Sequence, residues 1–439
     1  MESRRTELLP GVFFSALRTD KYKTECLSLN LLTALDRETV SRNALLPRVL
    51  RRGTLRHPDL ASLDAACDRL YGAEIQPFTE RCGEILTLGF FCTFLRERYL
   101  PAGERVPEQM AGLLGELLLS PNTRAGLLRK DLVESEKRKL AEDIRAGVND
   151  RFSHAAQRLT EEMCAYEAYG VSDLGTEDAA AAVTHLALTR HWQKLLQTAP
   201  IELIYVGAEA PERMEQALTE ALCTLPRGEL DLDLGTDIRM NTVEELPRRF
   251  SEPMELAQPV LALGFRLGDC MEDPNLPAIL VFAALFGGDN GRLFRRVREE
   301  RALCYEISAD CDLYKGLLLV TAGTAPGRTA EAEREILAQL DALARGDFSP
   351  EELDAARAAA AGELRCRTDA PETLERFYLF QALSGAEDLG PVELAEQCAA
   401  VTAEAVRAVA GSLRLDAVFL LGEEDADGDA EEDAYAAEI

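Results

Sequence analysis

Histidine is scarce in this chain and widely spread. Only four occur in 439 residues, at positions 57, 154, 185 and 191, and no two stand three or four apart. No helix face can therefore present a pair of imidazoles to zinc, and these residues read as solvent-facing or capping histidines. Cysteine offers no substitute, because the eleven residues are scattered, odd in number and without a CxxC pair. That excludes a disulfide frame and a zinc knuckle, and it reads as reduced, packed thiols of a cytoplasmic protein. A Gly-x-Ser-x-Gly elbow is missing as well, so no serine nucleophile can be named.

Long apolar runs are also lacking. The best, PAILVFAALF at 277–286, is bounded by Asn275 and Gly287, well short of the roughly 18–20 residues that cross a bilayer. A buried helix is the expectation there. The first residues, MESRRTELLPG, carry charge without an apolar stretch behind them, so no signal or transit peptide is legible. Basic residues are few against acids, 48 to 77, for a net charge of −29. Such a surface repels phosphate backbones and anionic lipid, which excludes nucleic acid and membrane as partners. Nine acids and no base fill residues 423–439, the pattern of a disordered solubilising tail.

What is present is an ordinary globular composition, 47% apolar and 28% charged, long enough for two or three domains. Periodicity predicts strands at 11–15 and 24–33, helices at 40–50 and 60–70, and a hairpin of 73–78 with 84–94 turning at Cys82-Gly83. Helices follow at 104–119, 123–148, 151–167 and 184–197, then a strand at 201–207 and a helix at 211–222. The same order then returns: strand 257–267, helices 276–286 and 291–300, a hairpin within 304–323, helices through 328–412 and a closing strand at 415–422. Gly53-Thr54 precedes Gly287-Gly288 by about 234 positions and Gly83 precedes Gly316 by about 233, as expected of an internal repeat. The predicted division is a first domain at 1–225, a polar linker at 226–250, a second domain at 251–422 and the tail. Hairpins with segregated helices predict an α+β fold, two similar sandwiches in tandem, each a mainly antiparallel sheet covered by helices.

The stretch GGDNGRLFRRVREERALCYEI, 287–307, decides between two readings of its glycines. A phosphate loop needs a lysine to reach the phosphates and a hydroxyl for magnesium. Residues 287–294 have neither, so the glycines read as a helix stop followed by a turn. The whole stretch resembles the second-domain signature of the insulinase and pitrilysin family of metallopeptidases, with Arg298 and Tyr305 on its arginine and tyrosine. The resemblance implies half of a clamshell-shaped peptidase, in which this pair binds the substrate backbone and steadies the transition state. Each residue also has a plain reading. Arg298 stands among Arg295, Arg296 and Arg301 as on a solvated helix face, and Tyr305 shares an apolar strand face with Ile307, Ala309 and Cys311.

The first half carries the same resemblance with one departure. Peptide-cutting relatives have an inverted zinc motif, His-x-x-Glu-His, in a helix ending in Gly-Thr. Here that helix is ALLPRVLRRGT, 44–54, and the motif positions hold Ala44, Pro47 and Arg48. The third ligand falls on Asp143, or on Glu142 beside it. No zinc and no other cofactor is expected in this chain, since metal capture and water activation both need the missing groups. The chain thus resembles the family's non-peptidase branch, whose bacterial members are often encoded beside a zinc-bearing sister and carry a label tying them to aminopentanol modification of elongation factor P. The resemblance implies a catalytically incomplete subunit acting on peptides or unfolded segments, its partner a zinc-bearing sister or a second copy. The alternative is a binding or scaffolding protein without a peptidase role.

Overall fold

The repeat in the glycine offsets is written into the order of the strands. The structure, a computed structural model, describes residues 2–268, 270, 275–385 and 389–423. Beyond Glu423 the acidic tail lies outside the described residues.

The chain begins with β1 (Glu2–Leu9), β2 (Val12–Arg18), β3 (Thr24–Ala34), α1 (Val40–Leu50), α2 (Leu60–Arg69), β4 (Glu74–Cys82) and β5 (Ile85–Leu95). It continues through α3 (Val106–Leu119), the short β6 (Thr123–Arg124) and β7 (Leu127–Leu128), α4 (Lys130–Gly147), α5 (Arg151–Met163), α6 (Glu177–Ala182), α7 (His185–Thr198), β8 (Ile201–Gly207) and α8 (Pro211–Leu222). The second round comprises β9 (Arg248–Glu252), β10 (Val260–Arg266), α9 (Asn275–Gly287), a π-helix at Leu293–Glu300, β11 (Cys304–Asp312) and β12 (Leu317–Thr324). It closes with α10 (Thr329–Arg345), α11 (Pro350–Cys366), α12 (Pro371–Ser384), α13 (Pro391–Ala399), α14 (Ala403–Ser412) and β13 (Arg414–Leu421).

One sheet runs β1-β2-β8-β3-β5-β4, the other β11-β12-β10-β13-β9. Each holds one parallel pair, β2 with β8 and β13 with β9, and is otherwise antiparallel. Reading the second order backwards sets β9 on β2, β13 on β8, β10 on β3, β12 on β5 and β11 on β4, leaving β1 as the addition. Gly83 and Gly316 occupy the equivalent hairpin turns with φ of +57° and +68°, a conformation that costs glycine little. The fold is α+β, two similar mainly antiparallel sheets covered by helices.

The two compact units are not contiguous halves. One holds the chain up to Arg145, Val171–Gly235 and the segment from Arg367 that carries α12; the other holds Ala146–Gly170, Thr236–Cys366 and the chain from α13 onward. A division at 1–225 and 251–422 therefore does not describe how the helices are shared, because each unit takes one from the opposite half of the sequence. In the first unit, Leu374, Tyr378 and Leu379 of α12 pack on Leu17, Ile204 and Val206. In the second, Ala155, Leu159 and Met163 of α5, spaced i, i+4, i+8 on one face, pack on Val260, Ala262 and Phe419. Gly264 lets α5 come close, since a Cβ there would stand 2.5 Å from Met163 Sδ. The other face of the first sheet, with Leu27, Leu29 and Phe90, packs on Leu45 and Leu46 of α1 and Leu114 of α3.

Three local elements depart from the sequence expectation. Residues 2–9 form β1, an edge strand paired only with β2. The helix expected over 123–148 starts at Lys130, and β6 and β7 form a tight hairpin instead, through Ala125 (φ +54°) and Gly126 (φ +75°). The helix expected over 291–300 is a π-helix, with Arg301 N–H donating to Arg296 O five residues back.

Candidate functional site

In the first unit, α1 carries Ala44, Pro47 and Arg48, the positions that the sequence resemblance set against the zinc motif. Ala44 and Pro47 are buried, and Pro47 lies inside the helix. Its ring has no N–H to give the carbonyl of Asn43 four residues back. The Thr79 hydroxyl of β4 supplies that carbonyl with a donor at 3.5 Å. Neither a methyl nor a pyrrolidine ring can ligate or act as a base. Arg48, one helical step on, places Nη1 2.5 Å from Asp143 Oδ2 on α4. A turn later Arg52 meets Glu136, also on α4, and Lys139 reaches the same carboxylate at 2.9 Å. Two arginines at i, i+4 thus face two carboxylates at i, i+7, and the pairs tie α1 and the turn that follows it to α4.

The sequence left Asp143 and Glu142 as alternatives, and the structure brings Asp143 to Arg48 while Glu142 points to solvent. A guanidinium is always charged and has no lone pair to donate, so the residues present do not fit a zinc ion. Among the described residues no group of three His, Cys, Asp or Glu side chains is placed to hold a metal. His191, expected to be solvent-facing or capping, is instead buried on α7, its Nε2 2.6 Å from Asn43 Oδ1. Burial, with Arg42 and Lys194 nearby, lowers its pKa to about 4.

The glycines at 287–291 serve close packing in the second unit. A Cβ on Gly287 would stand 2.4 Å from the Ala309 Cβ, and one on Gly288 would stand 2.6 Å from Ala284 O. The π-helix that follows holds Arg295, Arg296 and Arg298 and is flanked by Arg292 and Arg301. Arg292 and Arg295 both meet Glu352, Arg296 meets Glu300 and Arg301 meets Glu335. Arg298 meets no carboxylate among the described residues. Its guanidinium is exposed and lies 4.9 Å from the Phe294 ring centroid, a contact that orients a cation without neutralising it.

The strand bearing Tyr305 begins at once. Leu303 N–H donates to Val297 O at 3.0 Å, and Ala302 turns the chain with φ +48°. The register of β11 on β12 slips between Cys304 and Glu306, which leaves Tyr305 as the extra residue of a bulge. Bulges re-aim a side chain, and Tyr305 is 60% exposed, not packed under helices. Arg298 also opposes the burial that pushes the neighbouring Cys304 thiol up to about 11. A free cation and a phenol on an outermost strand can bind backbone carbonyls, and neither is a nucleophile or base. Sequence reasoning missed Phe294, whose i, i+4 spacing to Arg298 was the available signal. Neither the π-helix nor the bulge has a sequence code that could have shown it.

Two α+β units of matching strand order, with no group of metal-binding side chains among the described residues, define a metallopeptidase-like fold. Residues 182–360 match the family described as the Peptidase M16 inactive domain. A probable inactive metalloprotease, YmfF of Bacillus subtilis strain 168, is 29% identical over 415 residues, covering 94% of this chain and 96% of the relative. A conserved protein of Enterococcus faecalis V583 has the same fold, with a TM-score of 0.86 and 24% identity over 97% of this chain and 99% of that one. The periplasmic protease PqqL of Escherichia coli matches with a TM-score of 0.73 and 16% identity over 99% of this chain but 50% of its own. The chain is thus similar to M16-like peptidases and, over residues 182–360, to the inactive domain of that family. Among the described residues no helix is long and apolar enough to cross a membrane.

Proposed function

We propose that this chain is the non-catalytic subunit of a peptide-processing pair, binding peptide through Arg298 and Tyr305 while a zinc-bearing partner supplies metal, ligands and general base. The observation that carries the reading is Arg298, which meets no carboxylate among the described residues while its four neighbouring arginines each do, and which is held over Phe294 beside the bulged Tyr305. A cation kept exposed and unneutralised is available to a substrate carbonyl or carboxylate. The length relation to PqqL supports the need for a second polypeptide, because this chain matches half of a protease whose single chain is about twice as long. A second copy could pair in its place, but it would bring the same Arg48–Asp143 ion pair and no metal. The cytoplasm is the expected compartment, in keeping with eleven cysteines none of which is bridged.

The test is proteolysis by the chain reconstituted with a sister protein bearing His-x-x-Glu-His, using Arg298→Ala and Tyr305→Phe. The reading expects kcat/KM for a peptide to fall by about ten- to a hundredfold for Arg298→Ala, the size expected for loss of a charged hydrogen-bond donor. Proteolysis unchanged by both substitutions would instead favour a scaffolding protein whose old site is idle.

A further inference from the structure

We infer that the acidic segment 423–439 docks its carboxylates on Arg298 and Arg301 of the same chain, so that the chain carries its own competitor for the peptide it binds. This rests on the peptide-binding reading above and adds how that site is regulated.

The strand ends of the second sheet bring the two together. Leu421, the last residue of β13, pairs with Val260 of β10, Val260 with Gly323 of β12, and Gly323 with Glu306 of β11, beside the bulged Tyr305. These residues lie in one row across the sheet, three strand spacings or about 14 Å from end to end. At the far end of the row Leu303 N–H donates to Val297 O, which fixes the turn bearing Arg298 to the start of β11. β13 therefore delivers the chain to the end of the sheet at which Arg298 stands. Gly422 closes the strand, its N–H donating to Glu252 O at 3.0 Å. Glu424, Asp425, Asp427 and Asp429 follow within six residues of Glu423, an extended reach of about 20 Å. Acids are thus within range of the guanidinium from the first turn of the segment onward.

Charge makes the match. Residues 423–439 hold nine acids and no base. Arg298 meets no carboxylate among the described residues and is held over Phe294, while Arg301 holds Glu335 through Nε at 2.9 Å with its side chain 56% exposed. A guanidinium takes a carboxylate through two parallel N–H groups. Glu299 and Glu306, both exposed, flank the site and repel, so any single carboxylate docks weakly. The tether offsets this, because a short linker holds the acids at a local concentration on the order of a millimolar. The net charge of −29 repels the same acids from the rest of the surface. A segment that serves only to keep the chain soluble is the alternative, and the experiment separates the two.

The probe is a fluorescein-labelled peptide of residues 423–439, its binding to the full chain read by polarisation at physiological salt. The host is the chain with its nine tail acids changed to amides, Glu→Gln and Asp→Asn. The host should bind the probe, and the parent, whose own acids occupy the site, should bind it severalfold weaker. Arg298→Ala in the host should weaken binding about fivefold. With Arg298→Ala in both, the difference between parent and host should vanish; a difference that survives is bulk repulsion and overturns the inference. Arg414→Gln, which removes an equal charge at the opposite end of β13, should leave binding unchanged, and a loss equal to that from Arg298→Ala means diffuse attraction and overturns it too. A parent that binds the probe as well as the host does the same. If the probe does not bind while Arg298→Ala still lowers proteolysis by the reconstituted pair, the segment is a solubiliser and the peptide-binding reading stands. If neither binding nor proteolysis responds to Arg298→Ala, both fall.

Discussion

Arg48 Nη1 and Asp143 Oδ2 lie 2.5 Å apart, and the pair joins α1 to α4. Arginine cannot be neutralised near pH 7, so the positive charge facing Asp143 is built into the chain. The carboxylate is satisfied, the helices are held, and no donor is left over for metal.

That pair is partly open to solvent, with side-chain exposures of 26% and 52%. Such pairs contribute ~0.2–1 kcal/mol. Asp143→Asn is therefore expected to move the urea midpoint only slightly, with the fold intact by circular dichroism. A loss of several kcal/mol would show that the contact carries more than an ion pair can.

Glu375 of α12 is buried against β3, its carboxyl accepting from the Ser28 hydroxyl with no cation bonded to it among the described residues. Burial pushes its pKa up to about 7; Ser28 and Arg376 pull the other way and Glu80 adds to the rise. An acid whose folded pKa is raised binds its proton more tightly when folded. Its contribution is full below pH 4.5 and lost as the pH climbs through about 7. The difference is on the order of 3 kcal/mol. Glu375→Gln should flatten the decline between those limits and unfold at higher urea than the parent at pH 8; parallel pH profiles would contradict this.

His191 has the opposite sign. Its pKa is lowered from 6.5 to about 4, so its contribution is present above pH 6.5 and lost as the pH falls through about 4. Its imidazole resonances should stay those of the neutral ring from pH 8 down to 5, with Nε2–H donating to Asn43 Oδ1. Titration near 6.5 would mean that the ring is not buried as described.

Residues 226–247 have no regular structure and expose Leu232, Met240, Val243 and Leu246. A glutamate-specific protease should cut first at Glu244 or Glu245, both exposed. The nicked protein should run as two bands under denaturing conditions yet as one species on a native gel, because α5 belongs to the second unit and α12 to the first. Fragments that part without denaturant would contradict the helix exchange.

The repeat was legible because hairpin glycines at 83 and 316 are required by φ and so mark equivalent turns. The long helices and central strands followed from periodicity. β1 was not legible, since ESRRTELL pairs on one side only and alternates weakly. The 123–128 hairpin was hidden because Ala, Arg and Leu favour helix while its turn depends on Ala125 adopting a conformation it rarely takes. The exchange of α5 and α12 is a choice of distant surfaces, and no local pattern encodes it. At the site, the identities of Ala44, Pro47 and Arg48 told what was missing, but only the folded chain shows Asp143 neutralising Arg48 and Arg298 left free.

The most direct measurement is the zinc content of the purified chain, by mass spectrometry of the metal after dialysis against a small excess of zinc. The account predicts no stoichiometric zinc and no change on Asp143→Ala. One equivalent of zinc per chain, lost in Asp143→Ala, would contradict it.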